Sequence, residues 1–225
     1  YAKPAGVIAS LVPMTNPAMT PPVTGVSSAN ARNAVIFSPH PRTAQTTWEM
    51  VEMMRAACRA VGAPEDLFQS IRQPSIPMTQ HLMEECDLTL ATGGKPMVKA
   101  AYSSGRPAYG VGAGNSSIVI DETADIDIAA QNTRISKTSD FGSGCSADGN
   151  IIIQKSIYDQ MVAALQAEGG YLCNSEEKAL LEKAMWDEKG NRTFPTIACP
   201  PQQTADVAGF TIPADAKFLM VENQG

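Results

Sequence analysis

The stretch LTLATGGKPMVKA at residues 88–100 decides the fold. Residues 88–91 are a short strand-like run, Thr92, Gly93 and Gly94 leave it through a turn, and a helix opens at Lys95. A strand, a tight turn and a helix in that order make the unit from which parallel sheets are built, because parallel neighbours need a crossover between them. The turn has a second reading, since backbone N–H groups at such a helix start can hold a phosphate. Lys95 does not make it a Walker loop, because Pro96 stands where Ser or Thr is required.

Working outward, the same rhythm recurs. Strand-like runs fall at 6–12, 34–37, 67–71 and 108–111, with helix-like segments between them. The pattern predicts an α/β fold, a Rossmann-like parallel sheet with flanking helices. The clearest helix is expected over 43–61, with Trp48, Val51, Met54, Cys58 and Val61 on its core face, ended by Gly62 and Pro64.

After Val111 the rhythm changes. A strand at 116–120 follows almost directly, then a helix over 124–136 capped by Thr123 with Asp125 and Asp127 in its first turn. A strand at 150–154 and helices over 156–165 and 175–185 come next, and the Pro-, Gln- and Thr-rich stretch past Asn191 shows no evident closing element. A domain boundary is expected at 112–115, dividing the chain into 1–113 and 114–225.

Composition narrows the function classes. The 225 residues carry a net charge of -6, which argues against a nucleic-acid partner, since phosphate binding needs clustered Lys and Arg. No apolar run approaches the roughly 18 residues of a membrane span, and the amino terminus lacks the order of a signal peptide. Five cysteines, at 58, 86, 145, 173 and 199, show no CxxC spacing, and an odd number suits a reducing compartment, the cytoplasm, better than a disulfide framework. Cys86, Cys173 and Cys199 have no His or Cys at ligand spacing, so no metal site is expected.

Cys145 is the candidate nucleophile. It lies in SKTSDFGSGCS at 136–146, flanked by Gly142, Ser143, Gly144 and Ser146, where a thiol can be presented on an open loop. Arg134 and Lys137 precede that loop by a helical turn or more; they could lower the thiol pKa or meet an anionic substrate, and a helix end that favours cations accounts for them equally well. Gly110, Gly112 and Gly114 imitate part of a dinucleotide fingerprint, but they link strand to strand rather than strand to helix.

Taken together, GVIASLV at 6–12, PMTNP at 13–17, SPHP at 38–41, ATGG at 91–94, YGVGAGN at 109–115 and SKTSDFGSGC ending at Cys145 resemble, in order and spacing, the aldehyde dehydrogenase superfamily. The spelling is most like the acylating branch, and within it like members acting on sulfoacetaldehyde. The resemblance runs from Ala5 to about Ile157. It implies that Cys145 captures an aldehyde as a thiohemiacetal and holds the oxidised product as a thioester, and that Asn16 donates to the oxyanion. Hydrolytic members carry a glutamate at the position of Gly110, so its absence implies coenzyme A as second substrate.

The resemblance further implies a nicotinamide cofactor held by unit 1–113, with contacts from Thr15, from Ser38, His40 and Arg42, from Thr92, Gly93 and Gly94, and from Gly110, Val111 and Gly112. Ser38, His40 and Arg42 stand where an acid would favour NAD, which leans the expectation to NADP. Residues 114–225 are expected to be part of a second α/β domain, the catalytic one. The family implies a longer protein than this chain, a homo-oligomer when full length, so a fragment is expected. Ser146, Ala147, Asp148 and Gly149 depart from the branch's usual spelling. Two alternatives stay open: an acyl-phosphate reductase of the same superfamily, and a non-catalytic nucleotide-binding module.

Overall fold

Five of the six residues in Val7–Val12, the first strand β1, are buried. Ile8 and Val12 join one apolar cluster and Leu11 another, so the strand is covered on both faces and reads as a continuous apolar run rather than an alternating one. The computed structural model describes residues 3–112 and 114–223. The chain divides into two compact units, Tyr1–Ala113 and Gly114–Gly225. Ala113, inside the stretch where the sequence places a boundary, lies outside the described residues.

In the first unit β1 is followed by α1 (Thr20–Asn30), β2 (Ala34–Pro39), α2 (Ala44–Ala60), β3 (Phe68–Ser70), α3 (Ile76–Glu85), β4 (Leu88–Thr92), α4 (Lys95–Tyr102) and β5 (Ala108–Val111). The strands make one parallel sheet in the order β3-β2-β1-β4-β5. This is the α/β architecture that the alternation predicts. Val51 and Cys58 of α2 pack with Val35 and Phe37 of β2, whereas Met83 of α3 and Ala101 of α4 join Leu11 and Ala91. Each fully buried Val, Leu, Phe or Met among them contributes about 1.5–3 kcal/mol.

The face of α2 differs from the expected one. Its buried residues are Ala44, Thr47, Val51 and Cys58, and Val61 is 81% exposed. The helix stops at Ala60, and Gly62 at φ +73° turns the chain away, so Val61 falls beyond the last core-facing turn. Trp48 is half-buried and lies under the Arg72 guanidinium, 4.3 Å from its ring centroid.

The second unit holds β6 (Ser116–Ile120), α5 (Ile126–Thr138), β7 (Asp148–Ile153), α6 (Tyr158–Ala167), β8 (Gly170–Leu172), α7 (Ser175–Met185), α8 (Pro201–Ala208) and β9 (Phe218–Met220). β6 pairs with β7 and β8 with β9, both parallel. Ile120, Ala130, Met161, Leu165 and Phe218 form its main core. Two expectations are corrected. The cap of α5 is Asp125, whose carboxylate accepts from Ile128 N at 3.1 Å; Thr123 is held instead by Asp121, which accepts from both its N–H and its hydroxyl. The stretch past Asn191 does contain closing elements, α8 and β9, and β9 reaches back to β8, a three-residue strand too short to leave a periodic signal.

Candidate functional site

In the first unit the sequence-predicted cofactor residues gather along one edge of the sheet. Thr15 and Asn16 follow β1, Ser38 ends β2 with His40 and Arg42 just beyond, Thr92 ends β4 before Gly93 and Gly94, and Gly110, Val111 and Gly112 close β5. All leave the carboxyl ends of parallel strands. The strand order reverses between β1 and β4, which opens a crevice of the kind where open α/β sheets bind ligands. Gly93 N donates to Val111 O at 3.0 Å, tying two of these turns together.

The individual residues differ in what they offer. Asn16 is exposed, and its side-chain oxygen accepts from Met19 N at 3.3 Å, which directs its amide N–H groups away from that bond. Thr15 is exposed on the same turn. Ser38 is buried, its hydroxyl engaged with that of Thr79 at 2.8 Å. His40 Nδ1 accepts from Arg42 N at 3.3 Å and caps the short turn Pro41–Thr43; Arg42 stands exposed within it. Gly94 precedes α4 without a side-chain cap, leaving first-turn N–H groups open. A Cβ on Gly93 would lie 2.8 Å from Met97 Sδ, so a side chain there would require the flexible Met97 side chain to move.

Position 110 is filled by its neighbours. A Cβ on Gly110 would lie 2.5 Å from Val98 Cγ1 and 2.9 Å from Tyr102 Cε2, and the Tyr102 hydroxyl accepts from Gly110 N at 2.9 Å. Val98 and Tyr102 were not legible as site residues, because nothing in α4 marks which of its side chains reaches β5.

In the second unit Cys145 is exposed in the connection between α5 and β7. Asp140, Phe141 and Gly142 all have left-handed backbone, at φ 46°, 52° and 69°, which ends the helix and swings the chain out. Two of these are not glycine, a conformation that stores strain. Ala147 N then donates to Gly144 O at 3.0 Å, closing a four-residue turn with Cys145 at its first corner. Asp148 N donates to Ser136 Oγ at 3.0 Å and ties the start of β7 to α5. The Cys145 carbonyl faces Gly114, and a Cβ on Gly149 would overlap the Asn115 carboxamide, so the small residues around the loop let it lie close to β6.

The two cations before this loop separate. Arg134 is paired with Glu168 at 2.5 Å. Lys137 is half-buried, and its ammonium lies against Gly142, 3.1 Å from where a Cβ would stand. Burial pushes its pKa down, Asp148 opposes that, and Arg192 adds to it. Arg192 is held by a hairpin in which Trp186 bridges to it and Asp187 accepts from the N–H groups of Lys189 and Asn191. The sequence signal for that turn, Asp187 followed by Gly190 and Asn191, was present but pointed to no site. Among the described residues no group of three His, Cys, Asp or Glu is arranged to hold a metal, and no helix is long and apolar enough to cross a membrane.

The aldehyde dehydrogenase family model matches residues 1–172. The chain is 46% identical to a sulfoacetaldehyde dehydrogenase of an Acholeplasma species, over 99% of the chain and 46% of that protein. It is 42% identical to an acylating sulfoacetaldehyde dehydrogenase of Bilophila wadsworthia, over 99% of the chain and 49% of that protein. Among solved structures, an acetylating aldehyde dehydrogenase from Geobacillus thermoglucosidasius superposes with a TM-score of 0.94 at 39% identity, covering 100% of the chain and 50% of that one. The chain thus spans about half the length of the relatives it matches.

Proposed function

Because the chain belongs to the aldehyde dehydrogenase family, we propose that its two units carry the cofactor-binding and nucleophile-bearing parts of a coenzyme A-acylating aldehyde dehydrogenase. The observation that carries this reading is the filled position 110. Val98 and Tyr102 occupy the room of a side chain there, so no carboxylate stands on that turn to activate water. An acyl group on sulfur is then taken more readily by a thiol than by water, because a thiol ionises with less help.

Cys145, as thiolate, adds to the carbonyl carbon of a small aldehyde, and the carbonyl π pair moves to oxygen. The N–H of Cys145 donates to that oxyanion, which develops most charge on the way to the adduct; Asn16 is the second donor that the family resemblance implies. When bound, the nicotinamide cofactor accepts the hydride released as the carbonyl re-forms. The acyl group stays on Cys145 until the coenzyme A thiol attacks it and the Cys145 thiolate leaves.

The carboxyl edge of the sheet fits such a cofactor. The uncapped start of α4 suits a pyrophosphate. His40 and Arg42 follow the end of β2, where a basic rather than an acidic residue favours NADP over NAD. Ser38 contributes backbone alone, its hydroxyl being engaged by Thr79. Thr15, Thr92, Gly94, Val111 and Gly112 complete the edge on either side of the crevice. All five cysteines are free, as a cytoplasmic, reducing setting would keep them. The names of the relatives point to a short aldehyde bearing a sulfonate.

A cofactor-reduction assay with sulfoacetaldehyde or acetaldehyde, run with coenzyme A, with inorganic phosphate or with neither, tests the reading. Reduction of NADP that requires coenzyme A and yields acyl-coenzyme A is expected. Free acid released equally fast without coenzyme A, or an acyl phosphate formed with phosphate, contradicts it.

A further inference from the structure

The second unit contains a cleft of about 370 Å³ whose charged lining is one-sided, with Lys137, Lys178, Arg192 and Lys217 against Glu182 alone. That is unexpected in a chain with 17 basic and 23 acidic residues. The volume lies in the range of small-ligand sites. Lys178 is already engaged, donating to Glu222 O at 2.7 Å, and Lys217 is exposed.

Lys137 and Arg192 are different. Lys137 is half-buried and has no hydrogen bond or ion pair among the described residues; Asp148 acts on it only at longer range. Arg192 is exposed, but its guanidinium lies over the Trp186 ring at 5.0 Å and donates once, to Thr196 O at 2.5 Å. Its other N–H groups have no hydrogen-bond partner among the described residues, and the Cys199 thiol of the same cleft lies near enough to favour its charge. The two cations are near enough for Arg192 to disfavour the charge on Lys137. Bringing like charges together beside a half-buried ammonium costs free energy, and an anion between them offsets that cost. A guanidinium fork presents paired donors that match the oxygens of a sulfonate or carboxylate, and the Trp186 stack and the Asp187 hairpin hold that fork in place.

We propose that Lys137 and Arg192 form an anion site that takes the compact sulfonate or carboxylate end of a short substrate. Phe141 and Gly142 line the same cleft and belong to the loop that presents Cys145, so the anion's pocket shares a wall with the nucleophile's loop. This deepens the reading of the chain as an acylating dehydrogenase and rests on it for the statement that the anion belongs to an aldehyde. Binding itself requires no turnover.

The chain has two tryptophans, so in a Trp48→Phe background Trp186 reports on the cleft. Titration with isethionate and with propionate is expected to give a saturable change in its fluorescence, and comparison of the two anions separates sulfonate from carboxylate as the preferred end. Ethylene glycol and sodium chloride at matched concentration are expected to give none. Lys137→Gln and Arg192→Gln should weaken binding about tenfold or more, whereas Lys137→Arg should largely keep it at an unchanged melting temperature. No saturable change, an equal response to chloride, or undiminished binding by folded Lys137→Gln overturns the site. Acyl transfer to Cys145, measured separately, distinguishes the two readings. If transfer occurs and no anion binds, the site alone fails; if anions bind and no transfer occurs, the dehydrogenase reading fails and the anion loses its assignment to an aldehyde.

Discussion

At the scale of single residues, Gly110 and Cys145 illustrate two kinds of legibility. The exposure of Cys145 could be read from its glycines and serines, because flexible, small neighbours leave no apolar wall around a thiol. What fills the space at Gly110 could not, since Val98 and Tyr102 are distant in sequence and nothing local marks their reach. The structure turns a missing side chain into a statement about volume. Gly110→Glu should therefore destabilise the protein by about 1–3 kcal/mol through overpacking against Val98 and Tyr102. Adding Tyr102→Ala should recover part of that loss and raise coenzyme A-independent acid release. Thermal melting and acid titration would check both, and an unchanged melting temperature for Gly110→Glu alone would contradict the packing account. Ser38 shows the opposite limit: its place at the end of β2 was legible, but its bond to Thr79 depends on α3 and was not.

Among elements, the parallel sheet was legible because strands covered on both faces must be apolar throughout, and the turns between them carry glycine and proline. The boundaries and faces of helices were less so. Val61 continues the spacing of the α2 core face but falls beyond the helix end, and β8 and β9 are three-residue strands whose pairing is a tertiary event. The cap of α5 is a competition between two side chains two residues apart. Thr123 had the right chemistry, but Asp121 captures it in a turn and leaves Asp125 to accept from Ile128 N. Asp125→Ala should accordingly cost about 0.5–2 kcal/mol in urea denaturation, as loss of an N-cap does. The cap should be untouched by Thr123→Ala, which removes only the hydroxyl bond to an exposed Asp121. A larger loss for Thr123→Ala would reverse the assignment.

For the whole molecule, every cofactor residue read from the sequence lies on the carboxyl edge of one parallel sheet, as the βα alternation requires. The nucleophile belongs to the other unit, on a loop released by three left-handed residues. Three of the four remaining thiols are poor competitors for an acyl group. Cys58 is buried, burial pushes the Cys86 thiol up, and burial with Glu177 nearby pushes Cys173 up to about 11. A thiol so raised carries little thiolate at neutral pH, and only the thiolate attacks.

The most direct measurement is transfer of an acyl group from acyl-coenzyme A to the protein, followed by intact mass and peptide mapping, since this step needs no hydride acceptor. The acyl group is expected on Cys145, absent from Cys145→Ala, stable in buffer, and discharged on addition of coenzyme A. An adduct on another cysteine in preference to Cys145, or one lost to water as fast as to coenzyme A, would contradict the account.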